Sequence, residues 1–136
     1  MKEINKMLEK HEGLKLHPYK CTAGKLTIGF GRNLEDKGIS LQEARAMLDN
    51  DIAYFELKLS EKEWFKKADR VRKDVLIDMA YNLGFKGLIS FHNMIGALSS
   101  KDYHRAAREM LDSKWAKQVK GRAITLAEMM RTGEYQ

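Results

Sequence analysis

Apolar and polar residues alternate with a period of two in one part of this chain, from Leu14 to Gly31; the other patterned segments repeat at helical spacing. A chain organised this way builds one small sheet near its start and makes the rest of its core from helices. Leu14 and Leu16 alternate with polar residues. Leu26, Ile28 and Phe30 alternate with Thr27, Gly29 and Gly31, so two strands joined by a turn near Ala23-Gly24 are predicted. Ahead of them, Ile4, Met7, Leu8 and His11 mark a short helix over residues 3–11, stopped by Gly13. Asn33 to Gly38 is a polar stretch compatible with a short third strand and a loop.

Ser40-Leu-Gln-Glu43 is a capping box and opens the strongest helix pattern, with Leu41, Ala44, Met47, Leu48, Ile52, Phe55 and Leu59 on one stripe. Such a rod is about 28 Å long, enough to join two lobes. Ser60-Glu-Lys-Glu63 reads as a second box ahead of Trp64-Phe65. A helix is predicted over 70–83, with Val71, Val75, Leu76, Met79, Ala80 and Leu83 inward, broken by Gly84 and Gly87. Ser90 is placed to cap a helix over 91–98, Asp102 one over 103–112, and Ser113 a short piece containing Trp115. Residues 122–131 form a last helix closed by Thr132-Gly133. The expected fold class is α+β and mostly helical. Residues 1–39 and the start of the long helix form a small lobe with an antiparallel sheet, and residues from about 60 to 136 form a helical lobe, within one domain.

The net charge of +6 implies an anionic partner. Nucleic acid is not expected, because the basic residues are scattered over helices without aromatic interleaving. One cysteine excludes an internal disulfide and a Cys-rich zinc site, and His11, His17, His92 and His104 show no ligand spacing, so no metal site is expected. No run approaches the ~20 apolar residues of a spanning helix, so stable membrane insertion is not expected. Charges interrupt Met1–Gly13, so a signal peptide is not expected and the chain is placed in the cytoplasm, as a monomer.

Glu12 ends a helix, where the negative end of the helix dipole disfavours the charged form and so favours a proton-bearing acid, and partial burial would add to this. Glycoside hydrolysis needs such an acid to protonate the leaving oxygen. Thr27, Gly29 and Gly31 share one strand face, which offers a hydroxyl and room for a polymer to approach the backbone; Leu26, Ile28 and Phe30 on the other face are expected in the core. Arg32 and Asp51 are expected to form an ion pair if the long helix crosses the sheet.

Glu12, Cys21 and Thr27 are separated by eight and then five residues. That spacing resembles the catalytic signature of phage-type lysozymes, the endolysin muramidases of glycoside hydrolase family 24, in which the second position is usually Asp and less often Cys. The resemblance continues through Leu48 and Asp51 on the long helix, Met79-Ala-Tyr81-Asn82-Leu-Gly84, Phe91 and Asn93, Trp115, Gln118, Arg122-Ala123 and Arg131-Thr132-Gly133. It implies a lysozyme-like domain over the whole chain that cuts the β-1,4 bond between N-acetylmuramic acid and N-acetylglucosamine of peptidoglycan, with inversion and no cofactor. It implies that Glu12 is the general acid, that Cys21 replaces the carboxylate guiding the water, and that Thr27 holds that water. It implies that Gly29, Gly31, Tyr81, Asn82 and Arg122 contact the glycan strand or support its cleft, and it favours the Arg32–Asp51 pair. It also implies accumulation in the host cytoplasm until a membrane lesion gives access to the wall. The thiol leaves open a second expectation, a wall-binding protein with little or no turnover, since an unperturbed thiol at neutral pH is mostly uncharged. A cysteine hydrolase with Cys21 as nucleophile and His17 as base is a further alternative.

Overall fold

The computed structural model describes residues 1–136, folded as an α+β structure of ten helices and one three-stranded antiparallel sheet. The chain divides into two compact units, Met1–Met47 and Leu48–Gln136, with the division inside the long helix.

In the first unit, α1 (Glu3–Glu12) stops at Gly13 and buries none of its residues. The sheet runs β1 (Lys15–Lys20), β2 (Leu26–Gly29), β3 (Arg32–Asn33), in that spatial order. Tyr19 faces Thr27 and Lys20 faces Leu26, but the register slips between Lys15 and Tyr19. Pro18 lies in that slip. It has no N–H to give the ladder, so in an edge strand it belongs at an irregularity. The β1–β2 loop is closed by the Cys21 N–H donating to Lys25 O (3.0 Å) and the Gly24 N–H donating to Cys21 O (2.8 Å).

The expected face assignment of β2 is reversed. Thr27 is 3% exposed, whereas Leu26 and Phe30 lie at the surface. Thr27 is an inner residue of the middle strand, paired to Tyr19 on one side and Asn33 on the other, so position buries it despite its polarity. Its hydroxyl is satisfied by donating to Lys25 O at 2.8 Å. Phe30 does not continue the alternation because Gly29 (φ 71°) and Gly31 (φ 72°) turn the chain between β2 and β3. The polar stretch after β3 is a helical turn, α2 (Leu34–Lys37), capped by Asn33 Oδ1 accepting from the Asp36 N–H.

The capping box of α3 (Leu41–Leu59) forms as predicted: the Glu43 N–H donates to Ser40 Oγ at 3.1 Å and the Ser40 N–H donates to Glu43 Oε1 at 2.9 Å. Of its apolar stripe only Leu59 is buried.

The second unit is built from the end of α3 and α4 (Glu63–Lys66), α5 (Arg70–Leu83), α6 (Phe85–Ile89), α7 (His92–Ser99), α8 (Tyr103–Leu111), α9 (Lys114–Val119) and α10 (Gly121–Thr132). α10 packs on α8 and α5, and α7 packs on α8. Leu76, Met79, Met94, Met110 and Met130 are closed off from solvent at their centre. Asp69, Asp102 and Ser113 cap α5, α8 and α9. Arg72 of α5 performs the same service at the far end of α10. Its Nε donates to Met130 O at 2.6 Å and its Nη2 to Arg131 O at 3.0 Å, and its guanidinium lies 3.9 Å over the Tyr103 ring.

Two predicted caps are corrected. Ser60 does not open α4; its hydroxyl bonds back to Glu56 O, and α4 starts at Glu63 with no side-chain cap. Ser90 closes α6 through Gly87 O, and α7 also starts uncapped. In both places a hydroxyl at the end of one helix bonds to the carbonyls just behind it rather than to the N–H groups ahead. No helix is long and apolar enough to cross a membrane.

Candidate functional site

Glu12 is the last residue of α1, which fixes its backbone, and its side chain points to the β2–β3 turn. A Cβ placed on Gly31 would stand 3.4 Å from Glu12 Cγ, 3.0 Å from Cδ and nearer still to Oε2. The bare face of Gly31 is therefore occupied by the carboxyl of the chain itself, not left open for a polymer. Gly29 has nothing within 4 Å of its Cβ direction, so the room expected there is present. Glu12 is exposed and makes no hydrogen bond, so the partial burial expected from sequence is absent.

Cys21 starts the β1–β2 loop and is half-buried. Hydrogen bonds from backbone N–H groups, Lys25 first and then Ala23, hold its thiol below the ordinary range; desolvation opposes them, and the Thr27 hydroxyl adds a smaller downward push. A hydroxyl has one proton to give. Thr27 therefore serves either the Lys25 carbonyl, as observed, or the sulfur once it is charged. Glu12 meets the hairpin at Gly31 and Cys21 meets it at Thr27, so β2 and its turn link the three predicted catalytic residues.

Arg32 does not pair with Asp51. Its Nη1 and Nη2 donate to Glu43 Oε1 (3.0 Å) and Oε2 (2.8 Å), and Nη1 also donates to Gly38 O at 3.1 Å; Asp51 forms no ion pair. Both acids lie on α3, but Glu43 sits in the first turn beside the loop that Arg32 already grips. The forked bond to Arg32 is the main reason the Glu43 carboxyl is held down at about 2, with the Ser40 backbone and hydroxyl contributing next. One carboxylate thus caps the long helix and ties it to β3. The capping motif was a visible signal for Glu43, but it announced only half of that role.

In the second unit, Tyr81 and Arg122 line one hollow of about 440 Å³ with Leu48, Ile52, Arg70 and Asp78. Arg122 is held there by Asp78, whose Oδ1 accepts from Nε at 2.9 Å and Nη2 at 2.6 Å. The Tyr81 ring stands edge-on to Phe55, 6.2 Å between centroids. Asn82 does not line this hollow; its Oδ1 accepts from Trp115 Nε1 at 2.8 Å. Asn82 is thus engaged in holding α5 to α9, a partner that no spacing in the sequence announced. Trp115 borders a second hollow, of about 540 Å³, with His92, Asn93, Glu109 and Lys114.

The Phage lysozyme family model matches residues 9–132 of the chain. The chain is 26% identical to "Probable T4-type lysozyme 1" of Dictyostelium discoideum, covering 96% of this chain and 94% of that protein. It is 27% identical to "Endolysin" of Acyrthosiphon pisum secondary endosymbiont phage 1, covering 92% and 86%. It is also 26% identical to "Pre-baseplate central spike protein Gp5" of Enterobacteria phage T4, over 93% of this chain but only 27% of the spike protein. A match that runs from the middle of α1 to the end of α10 takes in the helix bearing Glu12, the hairpin bearing Cys21 and Thr27, and every helix of the second unit, so this chain belongs to the phage lysozyme family.

Proposed function

We propose that the protein is a glycoside hydrolase that cleaves the β-1,4 bond between N-acetylmuramic acid and N-acetylglucosamine in peptidoglycan, with Glu12 as general acid and Cys21 as the group that activates water. One observation carries the reading beyond family membership: the Glu12 carboxyl is seated on the same hairpin whose strand holds Thr27 beside Cys21. Glu12 gives its proton to the glycosidic oxygen as the bond to the anomeric carbon breaks. A water attacks that carbon from the opposite face, inverting it, and its proton passes to the Cys21 thiolate. The turn N–H groups favour the thiolate, and the sulfur then carries the negative charge an aspartate would bring. Glu12 regains a proton from solvent and Cys21 returns one. Gly29 leaves room for the glycan beside the hairpin.

The test is release of reducing ends from purified peptidoglycan by the parent, Glu12→Gln and Cys21→Asp. The reading expects a loss of at least about 10²-fold in Glu12→Gln. Cys21→Asp should keep or raise activity and retain it at lower pH, because an ordinary aspartate ionises near 3.9 and a thiol only well above that. Activity that survives Glu12→Gln would discard the reading. The thiol itself favours a second reading, a wall-binding protein with weak turnover, which predicts pelleting with peptidoglycan but reducing ends only after Cys21→Asp.

A further inference from the structure

We propose that Gly31 is a positioning residue for Glu12, and that the side chain it lacks decides where the acid sits; the inference rests on the glycosidase reading above. Gly29 and Gly31 flank one residue of the same turn and share a positive φ, 71° and 72°. The positive φ accounts for glycine at both places. It does not account for the difference between them: the Cβ direction of Gly29 is empty within 4 Å, whereas that of Gly31 is filled by Glu12. Gly31 is therefore under a second constraint that Gly29 escapes.

The constraint falls on Glu12 rather than on the hairpin. The hairpin is held on both sides of Gly31, by the pairing of Ile28 with Arg32 and by the fork from Arg32 to Glu43. Glu12 is exposed, unbonded to any other side chain, and carried on a flexible stem. A methyl group at position 31 would lie too close to Cδ and Oε2 to be tolerated, and the carboxyl would swing to another rotamer. The fold then survives while the acid leaves its place. General acid catalysis depends on that place, because the donor must lie within hydrogen-bond reach of the leaving oxygen.

The experiment compares Gly31→Ala with Gly38→Ala. Gly38 lies in the same unit, has φ 61°, and has nothing within 4 Å of its Cβ direction, so it carries the backbone strain without the collision. Both variants are assayed for kcat and KM on solubilised purified peptidoglycan beside the parent and Glu12→Gln, and the Glu12 carboxyl ¹³C resonance is read in the free proteins. If the parent turns over too slowly to assay, the same set is built on Cys21→Asp. Gly31→Ala is expected to lose about 10²-fold in kcat, the scale of an ångström misplacement, with KM nearly unchanged and the Glu12 resonance moved. Gly38→Ala is expected to leave kcat and the resonance where they are. A Gly31→Ala variant whose kcat stays within about threefold of the parent, or whose loss is all in KM, overturns the inference. So does an unmoved resonance. Activity that survives Glu12→Gln removes the glycosidase reading, and a moved resonance in Gly31→Ala would then report contact without catalytic use, which overturns the inference as well.

Discussion

In Leu48–Gln136, Leu76, Met79, Met110 and Met130 are closed off from solvent and pack between helices; in Met1–Met47 the one buried side chain is Thr27, and Ile4, Met7, Leu8, Leu14 and Leu16 lie at the surface. The second unit is held by removal of apolar surface from water, which grows with every side chain added. The first is held by specific geometry: a hairpin with an irregular edge, five glycines at positive φ, a capping box, and one guanidinium fork. Interactions of that kind between exposed groups each contribute little and depend on solvent conditions. They do fix direction, however, and the three predicted catalytic residues are all on this side of the division. The comparison teaches that the unit which places the acid is the one with the least packing to defend that placement. Native-state hydrogen exchange should therefore find the hairpin amides opening at a lower free energy than those of α5 and α10.

The largest expected effect that sharpens this contrast is in the packed unit. Met79→Ala empties a fully buried site on α5 and should destabilise by about 2–5 kcal/mol, read as a fall in the denaturant midpoint at unchanged slope. Arg72→Ala removes the two bonds that close α10 and should cost about 1.5–3 kcal/mol, because hydrogen bonds to a charged donor are the stronger kind. If Arg72→Ala matched Met79→Ala, the second unit would depend on polar ties as much as on packing, and the contrast would weaken.

The next effect belongs to the first unit and is set by pH. Glu43 is lowered from 4.5 to about 2 in the folded chain, so its contribution is complete above pH 4.5, declines as pH falls, and is gone below about 2. Exchange protection of the Ser40 and Glu43 amides should follow that window, and the step should be absent in Glu43→Gln. Loss of protection on raising pH instead would contradict the sign. The smallest effect is Leu16→Ala. Leu16 is 75% exposed, and its removal should change stability by less than about 0.5 kcal/mol in the same denaturant measurement. A cost as large as that of Met79→Ala would mean that the first unit hides apolar surface after all.

Much of this protein was legible in its residues, and the legible part is local. The helix over 70–83, the box at Ser40 and Glu43, and the caps at Asp102 and Ser113 depend on groups within four residues of each other, so spacing alone specifies them. Ser60 shows the limit even of that rule. It has the same box spacing as Ser40, but the hydroxyl finds the Glu56 carbonyl of the preceding turn, and no helix opens beside it. Alternation failed for β2 because it ranks faces by polarity, while Thr27 is paired on both sides in the middle strand and buried there, and the positive-φ Gly29 ends the strand before Phe30.

The sequence by itself determined the first helix, the single small sheet, the long helix, the helix over 70–83 and the spacing of Glu12, Cys21 and Thr27, because each follows from a periodicity or a short-range bond; the short helices α2 and α6, the second running through Gly87, it did not. Only the tertiary structure decided that Arg32 takes Glu43 and leaves Asp51, that Asn82 is held by Trp115, that Arg72 closes a helix some 58 residues away, and that the bare face of Gly31 receives the Glu12 carboxyl. Each of those is a choice among partners of equal chemistry, and what selects one is the place to which the folded backbone carries it.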